Sequence, residues 1–518
     1  MNAIDVKSDH QQQSDARNRY VTLMLFRGVI LLSIIVCLAM SFIVGNGERD
    51  AMVGVLGTLC LLIVSLPLFL RSDYSLFEPL TFIILLVLFG TPMKLLYVIA
   101  YRAQDIYVAK RLLNWELPEA LLPALMVVMC GWVCFVIGYG IRLPRSPIGH
   151  FYMPSCNNWN RTTLKILMVI VAVISLACLA AFIVSAGVGF GSLKELSSKR
   201  FSEEAGSAAN RMHQVKYYLY RGAAISKFLV YFGLVELLGR RQRLASWTGV
   251  VVVLALLQTV FLSFVINNRA GVLLILIDCM VIYYYMRKVI SYKIVLWAFA
   301  VASLLLVPML AGRAKNESTV SLLLQKTLAG RDMLDITKTC HIIKGVPQKM
   351  DYLRGETLYG WLATPIPRSM WEDKPMWAEK GPFINQKIFG DRTGISGVPP
   401  GLVAEFYWNF GFLGVCGGLF FTGLLLRHLF LAFMQYSDRP SSVLIYTLLV
   451  TRFGMFSFGN DFGTGIIKTA LDLVPVMAIL WLVGGSWSAF GASSRTNAAR
   501  TVVPPMSKRS DKSELIVE

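Results

Sequence analysis

Apolar runs of about 20 residues recur along the chain from Val21 to Val483, and each is long enough to cross about 30 Å of hydrocarbon as a helix. Inside a bilayer every backbone N–H and C=O must be satisfied within the segment, so such a chain folds as a bundle of helices. Composition agrees: 55% of residues are hydrophobic and 16% charged, too few charges to cover a soluble protein of 518 residues. Residues 1–20 form a polar tail, and the apolar run that follows is too long for a signal-peptide core and has no small-residue cleavage site. It reads as a retained anchor.

The expected spans are Val21 to Gly45, Ala51 to Leu70, Phe77 to Ala100, Ala120 to Ile141, Leu164 to Ala186 and Gly222 to Leu238. Six more follow: Thr248 to Ile266, Ala270 to Tyr285, Ile294 to Leu310, Leu402 to Phe430, Ser442 to Phe458 and Thr464 to Val483. The fold class is therefore an all-α polytopic integral membrane protein of about 12 transmembrane helices. Its membrane domain covers residues 21–488, and 489–518 read as a disordered tail. Alternate loops carry most of the basic residues, among them Arg71, Arg142, Arg145, Arg240, Arg241, Arg287, Arg427 and Arg439. Positive-inside sorting assigns that set, with both termini, to the cytoplasm and accounts for most of the +19 formal charge, so nucleic acid is not an expected partner.

Two long loops then face outward, 187–221 and 311–401. From Arg313 to Gly401 there are thirteen Lys or Arg against nine Asp or Glu, and from Gly187 to Arg221 six against three, so both are net positive. A loop of about ninety residues implies structure or function of its own. Helical periodicity from Leu322 to Ile343, with Leu324, Leu328 and Met333 apolar, predicts an interfacial helix on which Arg331, Asp335 and Lys338 share a stripe. Of the nine cysteines, seven lie in apolar runs and Cys156 and Cys340 in different loops, so neither a disulfide framework nor a zinc spacing emerges.

Charges in unusual places point to a site. Arg269 occupies a tight outward turn, where a short loop should avoid positive charge. Arg452, Asp278 and the pair Lys468 and Asp472 at i, i+4 lie within spans, as in helices that wall a polar cavity. Cations facing outward at a membrane surface suit an anionic lipid head, because arginine grips phosphate oxygens bidentately. If a lipid diphosphate is a leaving group, the same cations stabilise the developing charge. No metal or cofactor is implied, and neither long outward loop contains an Asp-x-Asp triplet.

The segment Pro365-Ile366-Pro367-Arg368-Ser369-Met370-Trp371-Glu372-Asp373-Lys374-Pro375, preceded by Arg354-Gly355-Glu356-Thr357, resembles the large-loop signature of O-antigen polymerases, the Wzy-type oligosaccharide repeat unit polymerases. The resemblance continues through Gly394-Ile395-Ser396-Gly397-Val398-Pro399-Pro400-Gly401 and Glu405-Phe406-Tyr407-Trp408-Asn409-Phe410-Gly411. An Arg-x10-Gly pattern found in that family's loops is met by Arg211 to Gly222. Independently of the family, three prolines stiffen the 365–375 path, Trp361 and Trp371 offer flat faces to sugars or the interface, and Arg368 and Lys374 offer phosphate contacts.

The resemblance implies an inverting transfer at the periplasmic face of a bacterial inner membrane, in which a glycan leaves undecaprenyl diphosphate for the nonreducing end of a new lipid-linked repeat. Arg269, Arg331, Arg368 and Arg452 are the expected diphosphate contacts. Glu405 at the start of a span, or His341 in the long loop, is the expected base. A chain-length regulator and a flippase are partners implied by the family. The rivals are an O-antigen ligase, which shares the donor, and a flippase or transporter, in which the intramembrane charges would line a path.

Overall fold

The structure is a computed structural model and describes residues 3–45, 47–101, 117–142, 159–185, 218–265, 268–287, 292–295, 297, 336–363, 366, 370–371, 380–389, 398–437 and 439–484. Among these residues the ordered elements are all helical. Eleven helices among the described residues are long and apolar enough to cross a membrane, and their bounds fall within four residues of the expected spans. The ninth expected span, from Ile294, lies almost wholly outside the described residues. The first helix runs unbroken from Ala3 to Val44, so the polar N-terminal segment continues helically into the first span.

In chain order, α1 (Ala3–Val44), α2 (Glu48–Leu70), α3 (Pro79–Gly90), α4 (Pro92–Tyr101) and α5 (Leu117–Gly140) form one group. Proline writes two of these boundaries: Pro79 starts α3 at a position where no N–H is needed, and Pro92 interrupts the third span, forcing Thr91 out of helical geometry at φ −118°, ψ −82°. A second group comprises α6 (Arg161–Ser185), α7 (Ser226–Gly239), α8 (Trp247–Val265) and α9 (Arg269–Arg287). The long loop contributes α10 (Ile336–Gly345), α11 (Glu356–Tyr359) and α12 (Lys380–Phe389). After it come α13 (Leu402–Met434), α14 (Pro440–Leu448), α15 (Phe456–Gly459) and α16 (Phe462–Gly484).

Two apolar cores result, one around α1–α5 and the first half of α13, the other around α6–α9, α14 and α16. α13 joins them. It lies against α5 so closely that a Cβ on Gly138 would sit 2.1 Å from the Phe420 carbonyl oxygen, and one on Gly423 2.2 Å from that of Phe135. Small residues permit such backbone approach between membrane helices, and backbone atoms cannot step aside as a side chain can. Gly138→Leu or Gly423→Leu is therefore expected to cost roughly 3 kcal/mol or more of stability, read as loss of the monodisperse peak of detergent-solubilised protein on size-exclusion chromatography.

At one end of the bundle, Glu78 is completely buried and collects five donors, one of them the Ser75 N–H at 3.1 Å. Arg71 binds it bidentately at 2.8 and 3.0 Å, Tyr139 donates at 2.9 Å and Arg427 at 3.3 Å. This clasp ties the α2–α3 turn to α5 and α13. Glu78→Ala would strand the buried Arg427 guanidinium, and the expected loss is about 3–5 kcal/mol. It is measurable as a lowered melting temperature of the solubilised protein.

The opposite end carries a cap. Ile342, Val346, Met350, Ile384, Val398, Ala404 and Trp408 form a small third core, with Trp408 stacked on Phe383 at 5.6 Å. The helix expected to lie at the interface from Leu322 is described only from Ile336, and Ile336 to Ile343 are all buried. Lys338, which its spacing places on one stripe with Arg331 and Asp335, is buried and donates to the Gly459 carbonyl at 3.2 Å.

Candidate functional site

The cap is seated on a break in α13. Phe410 (φ −136°, ψ 15°) and Gly411 (φ 64°, ψ −148°) leave helical geometry, and the positive φ of Gly411 is one a side-chain-bearing residue rarely adopts. A break there frees the carbonyls of Trp408 and Asn409, which accept the N–H groups of Leu353 and Arg354, each at 3.1 Å. The Asn409 side chain completes the joint: Oδ1 accepts from Gly355 N–H at 2.8 Å, and Nδ2 donates to Thr357 at 2.6 Å and to the Glu405 carbonyl at 2.7 Å. Two stretches far apart in sequence, Arg354 to Thr357 and Glu405 to Gly411, are thus one structural joint.

A buried ion cluster closes the cap beside that joint. Lys380 on α12 bridges Glu405 and, at 2.9 Å, Asp461 in the turn before α16. The second Glu405 oxygen accepts Phe462 N–H at 2.7 Å, while Asp461 takes Thr464 N–H at 2.8 Å and its hydroxyl at 2.7 Å. Burial opposes the charge on Lys380, but the carboxylates of Glu405 and Asp461 outweigh it and hold its pKa above the ordinary lysine value. Both oxygens of Glu405, the expected base, are therefore engaged, and the residue is fully buried.

A second cluster lies deeper, where α14 gives way to a π-helical stretch, Leu449–Met455. Such wide turns recur at functional sites, and this one carries Arg452 between α7, α9 and α16. Arg452 Nε donates to Asp472 at 2.7 Å, Nη2 to Asp278 at 2.7 Å and to Tyr231 at 2.9 Å, and Nη1 to Thr451 at 3.0 Å. Tyr231 donates in turn to Asp278 at 2.5 Å, and Lys227 binds the other oxygen of Asp472. In low dielectric, burying either carboxylate without these partners would be costly.

This cluster forms the floor of a cavity of about 130 Å³. Among the described residues, four cations line it, Arg221, Lys227, Arg452 and Lys468, against one carboxylate, that of Asp472. Hydroxyl and amide groups of Tyr220, Thr259, Ser263 and Asn268 share the wall with Leu262, Leu274 and Leu471. The cavity opens between the ends of helices that turn at the cap end of the bundle: the start of the Tyr218–Gly239 span, the end of α8, and the starts of α9 and α16. Charge, hydrogen-bonding groups and apolar wall together suit an anion carried on an apolar stem.

Of the residues singled out in the sequence, the structure brings Arg452, Asp278, Lys468 and Asp472 to this one place. Arg269 begins α9, next to the cavity residue Asn268, and only its backbone is described. Glu405 and His341 are in the cap and do not line the cavity; His341 is buried in α10. Trp371 is 39% exposed. Arg211, Arg331, Arg368 and Lys374 lie outside the described residues. Lys227, Tyr231, Lys380 and Asp461 were not anticipated, although a lysine inside the apolar run Gly222 to Leu238 was a visible signal for the first of them.

These features define an all-α, multi-pass membrane protein with a polar, cation-rich cavity among its spans. In comparisons with known proteins, the chain matches no family model, no curated protein and no solved structure.

Proposed function

We propose that the chain is a membrane glycosyltransferase that polymerises oligosaccharide repeat units carried on undecaprenyl diphosphate, at the periplasmic face of a bacterial inner membrane with both termini cytoplasmic. The cation-rich cavity at the cap end carries this reading. A lipid diphosphate has the charge for its basic wall and an isoprenoid stem for its apolar side. Support also comes from the resemblance of this loop sequence to that of the polymerases; within it, Arg354 to Thr357 and Glu405 to Gly411 form the joint, and α11 packs against α16, which bears Lys468.

In the reaction, an acceptor hydroxyl attacks the anomeric carbon of the donor glycan while the bond to the diphosphate breaks; the electron pair leaves with the diphosphate, which takes up the hydroxyl's proton. Cations fixed before the reaction stabilise that charge without reorganising. The buried charges within the spans would also suit a transporter or flippase, so the test must separate chemistry from movement. Deleting the gene should leave surface glycan as single repeats still attached to their anchor. Loss of all anchored glycan would instead indicate a ligase or flippase, and unchanged chain lengths would remove the proposal.

A further inference from the structure

Lys468 and Asp472 stand one turn apart on α16, the spacing at which lysine and aspartate normally pair. They form no salt bridge. Asp472 is taken on one oxygen by Lys227 and on the other by Arg452, at 2.7 Å. The Lys468 ammonium lies 3.3 Å from the centre of the Phe456 ring, an attraction that leaves N–H donors of the ammonium available.

Arg452 is in the opposite condition. A guanidinium has five N–H donors, and all of them have protein acceptors: Asp472 for Nε, Thr451 and, at 3.5 Å, Asp278 for Nη1, Asp278 and Tyr231 for Nη2. It has no donor left for a ligand. Within the cluster, the charges of Lys227 and Arg452 are balanced by those of Asp278 and Asp472, which leaves Lys468 outside that balance, on the cavity wall with Arg221.

We infer that Lys468 is the group through which the cavity holds phosphate oxygens of its ligand, and that Arg452 is a positioning residue that keeps Asp472 from neutralising Lys468. Only the identity of the ligand rests on the polymerase reading. The division of labour needs no more than a phosphate-bearing anion in the cavity.

The test uses the purified full-length protein in nanodiscs of phosphatidylcholine, titrated with inorganic pyrophosphate and with farnesyl diphosphate. Lys468→Met should weaken binding of both by about tenfold or more, the effect of losing a charged hydrogen bond, whereas Lys468→Arg should stay close to wild type. Arg452→Lys should weaken binding comparably, yet in an Asp472→Asn background it should add nothing, because no carboxylate is left to restrain. Asp472→Asn alone should bind at least as tightly as wild type, an arm that holds even if Arg452→Lys does not fold.

Unchanged binding by Lys468→Met would overturn the inference. So would an Arg452→Lys loss of equal size in both backgrounds, which would mean direct contact, or a weakened Asp472→Asn. Farnesyl diphosphate binding more tightly than pyrophosphate identifies a lipid head. Equal affinities with the same mutant pattern would sink the lipid-linked donor while leaving the role of Lys468 in place.

Discussion

Replacing Arg452 with methionine is expected to destabilise the protein by about 3–5 kcal/mol, because two carboxylates would lose a shared partner in low dielectric. Asp278 is completely buried and pairs with this guanidinium at 2.7 Å, so it bears most of the loss, while Asp472 keeps Lys227. A double variant, Arg452→Met with Asp278→Asn, should regain a large part of it, since removing both charges is far less costly than stranding one. Thermal unfolding of the solubilised variants gives the comparison. A single substitution without a measurable shift would mean that the cluster is hydrated rather than buried. On the proposed polymerase function, the single variant in cells yields shortened surface glycans even where some protein reaches the membrane.

The second large effect is expected at Lys380. Lys380→Met leaves Glu405 and Asp461 facing each other without a counter-ion, beneath the cap and at the start of α16. The expected loss is again about 3–5 kcal/mol, accompanied by easier proteolysis between residues 336 and 401, where the cap is anchored. The pKa of Lys380 is raised on folding, so its stabilisation is complete below the unfolded lysine value of about 10.4 and is lost as pH climbs through the folded value. Wild type and Lys380→Met should therefore differ fully at neutral pH and converge only in strong alkali. Equal protease sensitivity at pH 7 would show that the cluster does not hold the cap.

What could be read in the sequence follows from the range of the forces involved. Spans are local: an apolar run announces itself, and even the break in the third span was written in Pro92. Arg452, Asp278, Lys468 and Asp472 were conspicuous because charge is costly in a bilayer wherever it occurs. Their partners were another matter. The i, i+4 spacing of Lys468 and Asp472 suggested a pair, but Lys227, 245 residues away in sequence, took the carboxylate. Likewise Glu405, whose place at a helix start suggested a partly buried base, is neutralised by a lysine from the long loop, 25 residues away. Periodicity carries no information on which helices become neighbours.

The loop segment whose sequence resembles that of O-antigen polymerases illustrates the same limit. Asn409 and Gly411 read as part of a signature, yet nothing in the spacing showed that Gly411 breaks the helix so that freed carbonyls can receive the backbone of Leu353 and Arg354. The conformation of Arg354, at φ 46°, is unfavourable for a residue with a side chain and is held in place by that bond. The motif therefore fixes the cap to the span, and the cations of the cavity come from other parts of the chain.

Full-length protein reconstituted in lipid vesicles with one purified undecaprenyl-diphosphate-linked repeat unit and no other protein tests the central claim most directly. The expected result is a ladder of longer glycans, with one lipid diphosphate freed for every linkage made, and a ladder that collapses with Lys468→Met. Repeats that remain single, whether or not they cross the bilayer, would contradict it.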